Sequence, residues 1–275
     1  AELAYELAAL RKQFYMVAFS IRSGSTLLCH ELAQAGLGCQ YELFQEGYKG
    51  LTTAELLLET VRATEDEFFG FKITWPQFGA LCCDLQFNGY PLSSPDIREV
   101  MPGLRVIHLV RRDKIRQAIS AWRAIRSHTW HLKTGDHTDP GRPDYDFDEL
   151  RTWLLTLSTE DWIWRDYFSR LRLNVLDIAY EDYVADRSAT IERICHYLGA
   201  TPAAPSQPPL QIMRDDWTEE VAARFVADLY RQSRLYAAPD AVALHDAHDC
   251  WVGRWRVPLL SLEPEQTNAT KVPSS

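Results

Sequence analysis

The stretch "FSIRSGSTLLCHEL", Phe19–Leu32, joins an apolar run to a helical pattern through one tight turn. Ser23, Gly24, Ser25 and Thr26 make the turn, and Arg22 stands just ahead of it. A strand that enters such a turn and then a helix aims several N–H groups at one spot. The helix dipole adds positive potential there, so the unit is an anion cradle in form. A triphosphate loop would carry a second glycine, and a lysine directly before its Ser/Thr. This loop has neither. Small hydroxyl residues also cap helices that hold no ligand, so the loop alone leaves its ligand open.

Working outward, four β-rich runs stand out: "YMVAF" (Tyr15–Phe19), "FFGFKIT" (Phe68–Thr74), "RVIHLV" (Arg105–Val110) and "NVLDIAY" (Asn174–Tyr180). The first and third are nearly continuous in apolar residues, as strands buried on both faces of a parallel sheet are. Helical patterns lie between the runs, and the alternation predicts a three-layer α/β/α architecture around a central parallel sheet. Leu28, Leu32 and Ala35 line the helix after the opening loop, which stops at Gly36. Asp113 is placed to cap a helix whose buried stripe is Ile115, Ala118, Ile119 and Trp122. Further helices are expected over Asp148–Arg172, Ala189–Leu198 and Thr218–Tyr236, and "KTGDHTDPGRPDYDF" (Lys133–Phe147) reads as a surface loop. The expected organisation is one domain over residues 1–262, helix-rich from about 184, with a disordered tail over 263–275.

The formal charge of −9 argues against nucleic acid or an anionic membrane as the main partner. An anion site must be a local concentration of arginine and backbone N–H on an acidic body. Six cysteines (Cys29, Cys39, Cys82, Cys83, Cys195, Cys250) show no CxxC or Cys/His pairing. They read as buried thiols of a reducing compartment, without a disulfide or zinc framework. No apolar run is long enough to span a bilayer, and the acidic-then-basic start "AELAYELAALRKQ" is unlike a signal peptide. A cytoplasmic location is expected.

A second cationic element is "HLVRRDKIRQAISAW", His108–Trp122. Arg111 and Arg112 leave the end of a buried strand, where open α/β sheets bind ligands. Ser120 lies eight residues after Arg112, yet helical spacing alone would pair it with Arg116.

Together "SIRSGSTLL" and "RDKIRQAIS", each following a strand, resemble the two phosphate-binding signatures of sulfotransferases that use 3′-phosphoadenosine 5′-phosphosulfate (PAPS). The resemblance narrows to the bacterial trehalose 2-sulfotransferase-like family on "RSGSTLL" (Arg22–Leu28), "YELFQ" (Tyr41–Gln45), "FGFKITW" (Phe69–Trp75), the helix from Arg112 through "SHTWH" (Ser127–His131) and "YEDY" (Tyr180–Tyr183). It implies a P-loop-like sulfotransferase fold, with Arg22, Ser23, Gly24, Ser25, Thr26 and Leu27 at the 5′-phosphosulfate and Arg112 with Ser120 at the 3′-phosphate. It implies Glu42 as general base, with Glu46 the local competitor, and Arg22 neutralising the departing phosphate. No metal is implied. A homodimer is implied, with a neighbouring subunit helping to form the acceptor site. Cytosolic relatives carry Lys where this chain has Arg22, which exchanges a point charge for a planar fork.

Lys72 lies in a strand, where a charge needs a partner. It is expected either to line the site or to reach solvent. Trp122, Trp130 and His131 are candidates to stack on an acceptor sugar, and Arg214 and Trp217 to reach the nucleotide. Acceptor specificity is expected in Lys133–Phe147 and Phe78–Pro95. The expected reaction is sulfuryl transfer to a hydroxyl of a small carbohydrate. The alternatives are a P-loop kinase, disfavoured by the missing glycine and lysine, and a non-catalytic nucleotide-binding scaffold.

Overall fold

A computed structural model describes residues 2–40, 43, 51–87, 96–130, 141–201 and 215–236. In chain order these form α1 (Glu2–Ala9), β1 (Gln13–Phe19), α2 (Ser25–Gln34), β2 (Cys39–Gln40), α3 (Thr53–Ala63), β3 (Phe68–Thr74), α4 (Trp75–Phe87), β4 (Arg105–Val110), α5 (Lys114–Ser127), α6 (Phe147–Arg170), β5 (Val175–Ala179), α7 (Tyr180–Ala185), α8 (Arg187–Leu198) and α9 (Asp216–Tyr236). One compact unit runs to Phe225. From Val226 a second begins, of which the described part is the last turns of α9.

The five strands pair in the order β2-β3-β1-β4-β5, and every pairing is parallel. β1 is central, and its side chains alternate between two cores as a strand's period of two requires. Phe14, Met16 and Ala18 enter one core with residues of α1, α3, α4 and α6. Tyr15, Val17 and Phe19 enter the other with Leu28 and Leu32 of α2 and Ile191 and Ile194 of α8. A sheet covered on both faces has three layers, so the continuous apolar runs carried the architecture. Tyr15 pairs with Gly70 of β3, where a Cβ would lie 2.0 Å from the tyrosine ring. Only glycine leaves room for that ring.

Strand boundaries shift by up to two residues from expectation, and β2 is too short to announce itself. Asp113 caps α5, accepting from the Arg116 N–H, while Ile115 is only half-buried. Cys29, Cys39, Cys82 and Cys195 are buried free thiols as expected, but Cys83 is exposed on α4. No described helix is long and apolar enough to cross a membrane.

The crossover from β1 to β2 runs to one side of β1, and that from β3 to β4 to the other. Ligand crevices in open α/β sheets form where the connections diverge in this way, outside the carboxyl ends of the strands. Here those ends deliver Ser20–Gly24, Arg111–Asp113 and Tyr180–Asp182 to one rim.

Candidate active site

Between β1 and α2 the chain passes through two left-handed residues, Arg22 at φ +63° and Gly24 at φ +88°. The second suits glycine, and for a further reason: a Cβ on Gly24 would lie 2.6 Å from Cδ2 of Tyr180. The Tyr180 ring therefore floors the turn. Gly24 gives α2 no side-chain cap, so the N–H groups of Ser25, Thr26 and Leu27 lack a helical acceptor, and the first such bond is Leu28 N–H to Gly24 O. The Ser23 hydroxyl is wholly buried and has no hydrogen-bond partner among the described residues.

Three cations converge on this turn. The Arg22 Nε donates to Ser120 Oγ at 2.9 Å, and its Nη1 donates to the Trp130 carbonyl. Arg111 donates to the Arg22 carbonyl at 3.3 Å and lies 5.1 Å from the centre of the Tyr180 ring. Lys72, only 5% exposed, donates to Thr26 Oγ1 at 3.0 Å and sits over the Phe19 ring. Burial, and then the Arg111 charge, lower the Arg22 guanidinium to about 10. It stays protonated at neutral pH, and a nearby anion would relieve the repulsion between the two arginines.

Beneath the turn lies a closed polar ring. The Gln117 Nε2 donates to Ile21 O at 2.8 Å and to Ser20 Oγ at 3.0 Å, and Ser20 Oγ donates to Asp161 Oδ1 at 2.7 Å. Lys114 pairs with Asp161 and donates to Gln117 Oε1 at 2.8 Å. Beside Asp161, burial first and the Asp161 charge second raise the Glu160 carboxyl to about 7.

The model of the Stf0 sulphotransferase family matches residues 49–228. The chain belongs to that family. It is similar to the trehalose 2-sulfotransferase of Mycolicibacterium smegmatis, 26% identical over 257 residues that cover 79% of this chain and 96% of that protein. The trehalose 2-sulfotransferase of Mycobacterium tuberculosis is 25% identical over 261 residues, with the same coverage. Among solved structures, a sulfotransferase from Alicyclobacillus acidocaldarius matches at TM-score 0.42 and 14% identity, covering 84% of this chain and 98% of that one. The sulfotransferase domain of the Synechococcus PCC 7002 olefin synthase matches at TM-score 0.40 and 14% identity, covering 78% and 94%.

In this Stf0 sulphotransferase the expected donor residues divide. Arg22, Ser23, Gly24, Ser25, Thr26, Leu27 and Ser120 lie in or against one turn, but Ser120 meets Arg22 and not Arg112. The Arg112 side chain is 58% exposed and faces Glu181 and Asp182 of α7. Arg116, the other partner that helical spacing offered, is held by Asp113 and Glu219. Burial opposes ionisation of Glu181, yet the N–H groups of Asp113 and Arg112 keep its carboxyl below its ordinary value.

Lys72 lies inside the site, where the sequence left two choices open. Trp130, 42% exposed, stands beside Arg22, but Trp122 is buried and stacks on Trp217 at 5.9 Å, with Arg123 over the Trp217 ring. A sugar platform at Trp122 is thus corrected to packing, and described contacts of Trp217 are with α5. Glu42, Glu46, His131 and Arg214 lie outside the described residues, as do the tail, residues 88–95 and most of the 133–147 loop.

The polar ring escaped the sequence reading because its members stand far apart, Ser20 and Asp161 by 141 residues. No local signal marked it: Gln117 lies on the far side of α5 from the stripe Ile115, Ala118, Ile119 and Trp122, where a polar residue reads as facing solvent, and only the packing of the loop and α6 against that side buries it.

Proposed function

We propose that the protein transfers a sulfuryl group from PAPS to a hydroxyl of a small, trehalose-like carbohydrate by in-line attack, with Glu42 as general base. The carrying observation is the convergence of Arg22, Arg111, Lys72, a buried Ser23 hydroxyl and the α2 N-terminus on one turn. Such a set suits a 5′-phosphosulfate without a metal. The sugar acceptor is supported by the names of the two mycobacterial relatives.

In this reading the acceptor oxygen bonds to sulfur as the bond from sulfur to the phosphate oxygen breaks. The hydroxyl proton passes to Glu42, and adenosine 3′,5′-bisphosphate leaves. A sugar hydroxyl is a poor nucleophile, so a carboxylate within hydrogen-bond reach lowers the barrier. Arg22 and the N–H groups of α2 neutralise the charge that gathers on the departing phosphate. Arg112 is the cation for the 3′-phosphate, exchanging its contacts with Glu181 and Asp182 for that group while Ser120 supplies a hydroxyl. Trp130, and His131 after it, are placed by the reading on the acceptor side of Arg22. A homodimer in the cytoplasm completes it, and the free thiols agree with a reducing compartment.

Thermal stabilisation by adenosine 3′,5′-bisphosphate, set against ATP and AMP, tests the donor. Stabilisation by ATP alone would point to a kinase. Transfer of labelled sulfate to trehalose and to other sugars then tests activity and acceptor. Binding of the bisphosphate with no transfer to any hydroxyl acceptor would favour the scaffold.

A further inference from the structure

Arg22 stands in the left-handed region, a conformation that a residue with a side chain rarely adopts. Two positions on, Gly24 is left-handed as well. A backbone of this shape reverts unless its surroundings over-determine it. The ties that do so come from outside the loop. Ser20 and Gln117 are wholly buried and Asp161 is 8% exposed, so each bond between them is made away from water.

The ring also fixes its own direction. Lys114 can only donate, and it donates to Gln117 Oε1. That contact commits the Gln117 amide oxygen to Lys114 and turns its NH2 toward the loop, onto Ile21 O and Ser20 Oγ. Ser20 then has its own proton left for Asp161, and Asp161 closes the ring on Lys114. Ile21 is the residue whose carbonyl precedes the left-handed Arg22. One turn beyond Gln117, Ser120 takes the Arg22 guanidinium, so α5 holds both the loop's backbone and its cation.

The geometry points to Gln117, with Lys114 and Asp161, as positioning residues that hold Ser20–Ser23 in its anion-receiving shape. This rests on the donor site proposed above, although none of the three is assigned to PAPS or to the acceptor there. Lys114 supplies direction to the amide, and Asp161 anchors the hydroxyl that the amide also engages.

The test compares wild type with Gln117→Leu, which keeps the bulk and removes both donors, with Lys114→Met, and with Lys114→Arg, which keeps a cationic donor. Three quantities are read: the dissociation constant for adenosine 3′,5′-bisphosphate, amide hydrogen exchange of the segment 20–26, and the melting temperature. Gln117→Leu is expected to weaken the bisphosphate by about tenfold or more, the scale of losing buried hydrogen bonds. Exchange in 20–26 rises by about tenfold or more while β1 and β4 stay protected. Lys114→Met follows in the same direction, and Lys114→Arg restores most of the loss.

Lower melting with affinity and loop exchange unchanged would overturn the assignment and leave Gln117 a packing residue. So would a rise in exchange spread evenly over the sheet. Should Gln117→Leu fail to fold, the Lys114 pair decides, with equal behaviour of Met and Arg counting against. Absence of bisphosphate binding by wild type would sink the donor reading, and loop exchange would still decide the brace.

Discussion

Adding one methyl group at Gly24 tests the floor of the turn between β1 and α2. In Gly24→Ala the new Cβ falls 2.6 Å from Tyr180 Cδ2 and 2.8 Å from Cε2, and it must hold φ near +88°. The left-handed backbone costs about 1–2 kcal/mol with a Cβ present. Displacing the ring costs a further ~1–3 kcal/mol, the range for overpacking. The ring is not free to swing away, because the Arg111 guanidinium lies over it at 5.1 Å. Against these stands a gain of about 0.4–1 kcal/mol from the stiffer unfolded chain. The net expectation is a loss of roughly 2–4 kcal/mol, to be read by urea denaturation, with affinity for adenosine 3′,5′-bisphosphate falling alongside.

A double-mutant cycle separates the two causes. In a Tyr180→Ala background the overlap disappears and the same change should cost only about 1 kcal/mol, the backbone part less the same unfolded-chain gain. If Gly24→Ala costs less than about 0.5 kcal/mol, or costs the same with and without the ring, the packing of Tyr180 against the turn is not what selects glycine.

Glu160 gives a prediction with a sign in pH. Its folded value near 7 exceeds the ordinary 4.5, so the folded state binds the extra proton, and stability falls as pH rises from about 4.5 through about 7. The full shift corresponds to roughly 3 kcal/mol, which partial solvent contact reduces to about 1–3. Glu160→Gln should therefore gain that amount at pH 8 and almost nothing at pH 4.5; equal effects at both pH values would refute the assignment. Lys72→Met should leave the melting temperature within a few degrees of wild type but weaken the bisphosphate by about tenfold, because it removes a desolvated charge beside Thr26. Calorimetry checks it, and unchanged affinity would make Lys72 a bystander. Glu42→Gln should lower turnover by roughly 10²–10⁴ with bisphosphate affinity retained, as for a lost general base. Unaltered turnover would shift attention to Glu46.

Layering and strand positions were legible along the chain because burial of apolar runs is dictated by composition over short windows. "YMVAF" and "RVIHLV" had to lie inside a covered parallel sheet, and "SGST" between strand and helix had to form a turn with unsatisfied N–H groups. That the turn has the form of an anion cradle was legible for the same local reason. The partners of the charges were not. Arg22 and Ser120, 98 residues apart, meet only because β1 and β4 are neighbours in the sheet. The same adjacency carries Arg111 back onto the loop and leaves Arg112, one residue later, facing Glu181 and Asp182 on the rim. Trp122 and Trp130 read alike as aromatic candidates, yet one is buried on Trp217 and the other stands open beside Arg22. Periodicity assigns a residue to a face of its own element. Which other element that face meets, and which carboxylate or carbonyl stands there, depends on strand order and long-range packing, and only the tertiary structure holds those.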